Sequence, residues 1–188
     1  NLVQDMLESA VDLQFGYLNY TLPDTIISGD SLIIPITVKS KTAHSIPSGT
    51  SFSREAWLAV TVTTVTNTIE SLWYESGVIE NTEHLDISDS ELLLFTTTLL
   101  TENNEEAISV TQTHDIINHS LKAFHSRYHN YRIGLDGVVA DFIDIDIRML
   151  FRAFKPHLLE ENHPDLLANL PIFQMASIRD TVYIKSPQ

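Results

Sequence analysis

Phe142-Ile143-Asp144-Ile145-Asp146-Ile147-Arg148-Met149 decides how this chain folds. Successive side chains of a strand point to opposite faces, so Ile143, Ile145, Ile147 and Met149 share one face. Phe142, Asp144, Asp146 and Arg148 share the other. The aliphatic row must face a core, because burying each such side chain is worth about 1.5–3 kcal/mol. The Asp144, Asp146 and Arg148 row is expected to be a solvated, charged edge that resists sheet-to-sheet aggregation.

The same alternation recurs upstream. Residues 56–66 are strongly β-branched, with Trp57, Ala59, Thr61 and Thr63 on one face and Leu58, Val60 and Val62 on the other. Between Ile26 and Val38 a Gly29-Asp30 turn feeds an alternating strand, where Pro35 marks an edge strand or a bulge. The pattern predicts further strands over 69–75, 92–100, 106–113, 128–135, 141–153 and 177–185. Asn67, Gly77, Asn103-Asn104, Gly134 and Gly137 punctuate them. Many short strands with turns between them predict an all-β chain folded as a β-sandwich.

Two departures from β structure are expected. Leu2, Val3, Met6, Leu7, Ala10, Val11 and Leu13 recur at helical spacing, with Asp5 and Glu8 on another side. That predicts a short amphipathic helix within residues 1–14, with Asn1 placed to cap it. The sandwich then occupies 15–188. Near 156–170 it makes one or two short helical turns, broken by Pro164 and ended by Pro171. There is no internal repeat and no low-complexity linker.

Composition narrows the function. The chain has 188 residues, 43% of them hydrophobic, and a formal charge of −14. That charge disfavours nucleic acid and anionic membrane, both of which reward basic patches. No apolar run approaches the roughly 20 residues that span a bilayer, so no membrane insertion is expected. Asn1 opens no basic and apolar leader, a start that also suits an exported chain already processed. The chain has no cysteine. This removes disulfides, thiolate metal sites, thiol catalysis and Cys-x-x-Cys-His haem attachment. A Gly-x-Ser-x-Gly elbow, a Gly-x-Gly-x-x-Gly loop, a phosphate loop and a His-Glu-x-x-His helix are all missing. No catalysis is expected of this chain.

Two histidine-bearing regions remain. His114, His119, His125 and His129 form the densest cluster, spaced in a way that permits zinc or copper in principle. The ordinary reading is a solvated loop running into a strand. The acids Asp86, Asp89 and Glu91, and Asp136, Asp141, Asp144 and Asp146, do not fit a twelve-residue calcium loop and read as solvated faces. The second region is Ala43-His44-Ser45-Ile46-Pro47-Ser48-Gly49, followed by Arg54 and Trp57-Leu58.

That second region, in its order along the chain, resembles the haem-free β-rich part of certain multihaem c-type cytochromes. Those proteins often read Gly-His-x-x-Pro-Thr-Gly, then Arg, then Trp-Leu and alternating valines. Ser28-Gly29-Asp30, Tyr74-Glu75-Ser76-Gly77, Asp115-Ile116-Ile117-Asn118, Tyr131-Arg132-Ile133 and Arg148-Met149-Leu150-Phe151-Arg152 fall in the same order as family features. Ala43 and Ser48 depart from the usual glycine and threonine. The resemblance implies a module of a multihaem assembly, periplasmic or extracellular, in a hetero-oligomer with a haem-bearing chain. It implies haem c carried by that partner, with His44 as a candidate axial ligand and metal contact. Arg54 is a candidate partner for a haem propionate. Plainer alternatives stand beside these. His44 can bond a backbone carbonyl, and Arg54 can pair with a carboxylate of its own domain. The chain as a whole can be an adhesive or carbohydrate-binding sandwich, which exposed aromatics near Trp73 and Tyr74 would favour.

Overall fold

The computed structural model describes residues 2–80, 83–160 and 163–185. Its elements in chain order are α1 (Leu2–Glu8), β1 (Val11–Phe15), β2 (Thr25–Ile27), β3 (Ser31–Ser40), β4 (Glu55–Thr66), β5 (Ile69–Ser76) and β6 (Leu94–Leu100). Then follow β7 (Asp115–Asn118), β8 (Ser126–Gly134), β9 (Phe142–Arg152), α2 (His157–Glu160), α3 (Pro164–Leu167) and β10 (Phe173–Lys185). Two sheets face each other. The small one has the order β1-β3-β8, and the large one β2-β10-β9-β4-β6-β7, with β5 also on β4. The expected β-sandwich is the fold.

The deciding strand behaves as its alternation requires. Ile143, Ile145, Ile147 and Met149 of β9 are buried against Leu32, Ile34, Ile36 and Val38 of β3 and Ala56, Leu58, Val60 and Val62 of β4. β9 lies centrally, antiparallel to β4 on one flank and to β10 on the other. β4 departs from simple alternation. The first half of its second face is buried as well, where Trp57 and Ala59 pack with Leu85 and Leu150 under the loop after β5. Trp57 Nε1 donates to the Gly77 carbonyl at 2.8 Å. A charged pair closes this end of the sheet. Arg152, fully buried, donates through Nε to the Glu55 carboxylate, through Nη1 to the Glu83 carbonyl at 2.6 Å, and lies 5.4 Å from the Trp57 ring centre.

Three expectations need correction. The helix over 1–14 ends at Glu8, and Val11–Phe15 is a strand paired with Ser40–Ile36 of β3. Val11, Leu13 and Phe15 satisfy a period of two as well as one of 3.6. The open edge of β3 selected the strand, because pairing there satisfies backbone groups on both partners. The cap assigned to Asn1 lies outside the described residues. The strand over 106–113 does not form. Glu106 makes an isolated bridge to Leu100, and Val110–Gln112 is a 3₁₀ turn in which the Thr111 amide donates to the Ser109 hydroxyl. Ile108 and Val110 alternate but point into solvent, and the strand that pairs with β6 is β7, two residues further on. Finally, Pro35 sits in the middle strand of the small sheet, neither on an edge strand nor at a bulge. Its carbonyl accepts from Gly16, so its nitrogen faces the flank where β1 has just ended and no amide hydrogen is wanted.

The excursion near 156–170 appears as α2 and α3, with Pro164 opening the second; residues 161–162 lie outside the described set. No helix among the described residues is long and apolar enough to cross a membrane.

Candidate functional site

The loop between β3 and β4 carries the motif, and α1 folds over it. Its two candidate residues line one cavity of about 330 Å³. Leu7, Ile46, Phe151 and Met175 supply apolar walls, and His44 and Arg54 supply polar atoms. Beside it α1 leaves Leu2, Val3 and Met6 exposed. An amphipathic helix ordinarily buries such a row, so this rim is apolar surface that nothing in the described residues covers.

His44 is exposed, and its Nδ1 lies 3.1 Å from the Ser45 carbonyl oxygen. A carbonyl only accepts, so Nδ1 carries a proton, and in the neutral ring Nε2 keeps its lone pair. The plainer reading of His44, a backbone hydrogen bond, is therefore met by one ring nitrogen, and it leaves the other in the tautomer a metal ligand needs. The Thr42 hydroxyl holds the His44 carbonyl at 2.7 Å. Ala43 has an ordinary negative φ, so the turn does not need the glycine seen in the resembling proteins.

Arg54 is half-buried at the start of the cavity. Its Nη1 donates to the Ser48 carbonyl at 2.8 Å. Among the described residues no carboxylate pairs with it, so the expected internal salt bridge is replaced by a loop carbonyl. The neighbouring Glu55 is turned to the other face and is taken by Arg152. Gly49 sits over the guanidinium at φ +68, and a Cβ there would come within 3.4 Å of Nη1. The loop is thus fitted closely around a cation that has no anion of its own.

The histidine cluster does not assemble. His114, His119 and His125 are exposed and stand on separate segments, and His125 Nδ1 is bonded to the Ala123 carbonyl at 2.7 Å. No group of three or more potential ligands able to hold a metal occurs among the described residues. Asp86 and Asp89 cap their own loop, accepting from Ser88 and from Glu91 and Ser76 respectively. Trp73 gives its Nε1 to the Gly134 carbonyl at 3.0 Å, while Tyr74 turns toward the core. They form no common platform.

His129 is the exception in that cluster. It lies half-buried on β8, edge-on to Tyr131 at 4.5 Å between ring centres and 3.6 Å from the Glu91 carboxylate. Burial holds its pKa below the ordinary 6.5, outweighing the pull of Glu91 in the other direction. The same burial pushes the Tyr74 phenol up to about 12 and raises Tyr131 further. As pH falls, the unfolded chain protonates at His129 before the folded one does. Its contribution to stability is complete above 6.5 and is lost as pH drops from there through the lower folded value. His129→Gln should flatten that limb in urea melts taken across pH. An acid limb identical to wild type would show that burial of this ring is not what shapes it.

Sequence reasoning placed His44 and Arg54 on one loop and strand start but missed that α1 and Met175 of β10 complete the cavity. Those partners are distant in sequence, and only the exposed apolar run in α1 hinted at them.

No family model matches the chain, and no curated protein matches it. Among solved structures, a penta-haem cytochrome c552 from Thermochromatium tepidum superposes with a TM-score of 0.61 at 15% identity, over 95% of this chain and 41% of that one. At that identity the likeness is one of fold. The chain spans about two fifths of the cytochrome's length. AvmM, which catalyses macrocyclization in alchivemycin A biosynthesis, gives a TM-score of 0.41 at 6% identity over 96% of this chain and 92% of that one. The sporulation control protein Spo0M from Bacillus subtilis gives 0.28 at 9%, over 94% and 49%. Superpositions that loose carry no argument.

Proposed function

We propose that this chain is a haem-free β-sandwich module of a multihaem cytochrome assembly, exported from the cytoplasm and performing no catalysis itself. Its part is to seat the edge of a haem c held by a haem-bearing partner. The observation that carries this reading is that His44 and Arg54 open onto one apolar cavity. The donor set suits the group. Nε2 of His44 offers a lone pair to iron, Arg54 offers an uncommitted positive charge to a propionate, and the walls suit a porphyrin edge. A volume near 330 Å³ is at the small end for an organic ligand, which fits contact with an edge rather than enclosure of a macrocycle. The fold shared with part of a penta-haem cytochrome supports the setting.

A haem c undecapeptide with one open axial position is a suitable probe. Titrating it with the full chain should shift the Soret band and convert the iron to low spin. His44→Ala should abolish most of that shift. Arg54→Gln should weaken binding about tenfold while leaving the spin change intact at saturation. An H44A chain that shifts the band as wild type does would refute ligation by His44.

A further inference from the structure

The outer face of the large sheet holds a second feature, and it shares no residue with the cavity at His44. It is a polar groove of about 720 Å³ floored by β4, β9 and β10. The pairing register arranges its side chains in rows across three strands. Thr61, Asp146 and Arg179 form one row, and Thr63, Asp144 and Thr181 the next. The charged face of β9, read from sequence as a solvated edge, is therefore the middle of a sheet and half-buried.

Asp144 and Asp146, the two acids of β9 in this groove, each have one oxygen pinned by a neighbouring side chain. Asp144 Oδ1 accepts from the Thr181 hydroxyl at 2.7 Å. Asp146 Oδ2 accepts from Arg179 Nη2 at 2.7 Å, while its Oδ1 is buried with no hydrogen-bond partner. Arg148 Nε, two residues along the same strand, is also buried without one. Asp146 and Arg148 both line the groove, and these two atoms lack the pairing that buried polar atoms nearly always have, a pairing that a bound polar molecule would complete. Beyond Asp144 and Thr181, the next pair on this face is Phe142 and Tyr183, with ring centres 6.1 Å apart. Two residues of strand place that pair roughly 7 Å from the last acid.

We infer that this groove binds a neutral oligosaccharide. Sugar hydroxyls donate to spare carboxylate oxygens and accept from guanidinium and threonine groups, and both kinds alternate here. The aromatic pair offers the apolar ring surface on which the flat face of the next sugar unit rests. Four carboxylates (Glu70, Asp144, Asp146, Asp180) outnumber two guanidiniums (Arg148, Arg179), so the groove repels uronic acids and sulfated glycans. Strands rather than loops carry the floor, which keeps the donors and acceptors in fixed places. This inference is independent of the haem-seating reading and can stand or fall without it.

The test is amide-resolved NMR of the full chain with cellohexaose, xylohexaose, mannohexaose and maltohexaose at millimolar concentration, and oligogalacturonate as the anionic control. At least one neutral sugar should shift amides of Thr61, Thr63, Asp144, Asp146, Arg148 and Thr181. Tyr183→Ala should weaken that binding about tenfold, and Asp144→Ala at least as much. Tyr183 is largely exposed, so its loss spares the fold, and the dispersion of the spectrum confirms this for both variants. Any of three results overturns the inference: no groove shifts with every neutral sugar, equal or tighter binding of oligogalacturonate, or shifts elsewhere that survive both substitutions.

Discussion

Gly77→Ala should destabilise the protein by about 4 kcal/mol, a large part of what holds a domain of this size together. Two costs combine. Gly77 lies at φ +65, where an L residue costs about 1–3 kcal/mol. The new Cβ would also stand 2.3 Å from the Leu58 carbonyl oxygen and 3.0 Å from Trp57 Cδ1. Overpacking of that kind adds about 1–3 kcal/mol. The obstacle is backbone of β4, which cannot swing aside as a side-chain end can. Any shift also disturbs the Trp57 Nε1 bond to the Gly77 carbonyl. Urea denaturation followed by tryptophan fluorescence gives the number. A loss below about 1 kcal/mol would mean that the β5 terminus is not packed against β4 as described.

Arg152→Met should cost about 3–5 kcal/mol, because it leaves the Glu55 carboxylate buried and without its counter-charge. The guanidinium does three jobs at once: it neutralises Glu55, bonds the Glu83 carbonyl and covers the Trp57 ring. Glu55 and Arg152 face each other across the last pair of the β4–β9 ladder, so their loss is felt at that end of the sheet. The double variant Glu55→Leu with Arg152→Met should recover much of that loss, since a buried pair replaced by apolar side chains leaves no stranded charge. The comparison is made by the same denaturation in a double-mutant cycle. A double variant as unstable as the sum of the singles would assign the cost to packing around Trp57 instead.

What the sequence disclosed, and what it hid, follows from how local each signal is. β9 was legible because its period of two is strict and one face is wholly aliphatic. β4 was legible as a strand but not as a strand buried on both faces, since Trp57 and Ala59 are covered by Leu85, which lies in a loop with no periodic pattern. The first fourteen residues were ambiguous between periods, and pairing with β3 settled the matter from a distance. Arg54 was found from its place in a motif. The alternative of a carboxylate from its own domain is not realised among the described residues; the Ser48 carbonyl takes that place, a contact set by loop geometry that has no sequence pattern. The oligosaccharide groove was misread for a similar reason. Asp144, Asp146 and Arg148 look like an ordinary charged row until β4 and β10 flank them.

Seating of a partner's haem edge by the His44 loop has one direct test. The most direct measurement is paramagnetic line broadening in the amide spectrum of the full chain on adding the oxidised haem c undecapeptide. Broadening should centre on His44 to Gly49 and Arg54, reach Phe151 and Met175 across the cavity wall and vanish in His44→Ala. Broadening centred on His114, His119 or His125, unaffected by H44A, would contradict it.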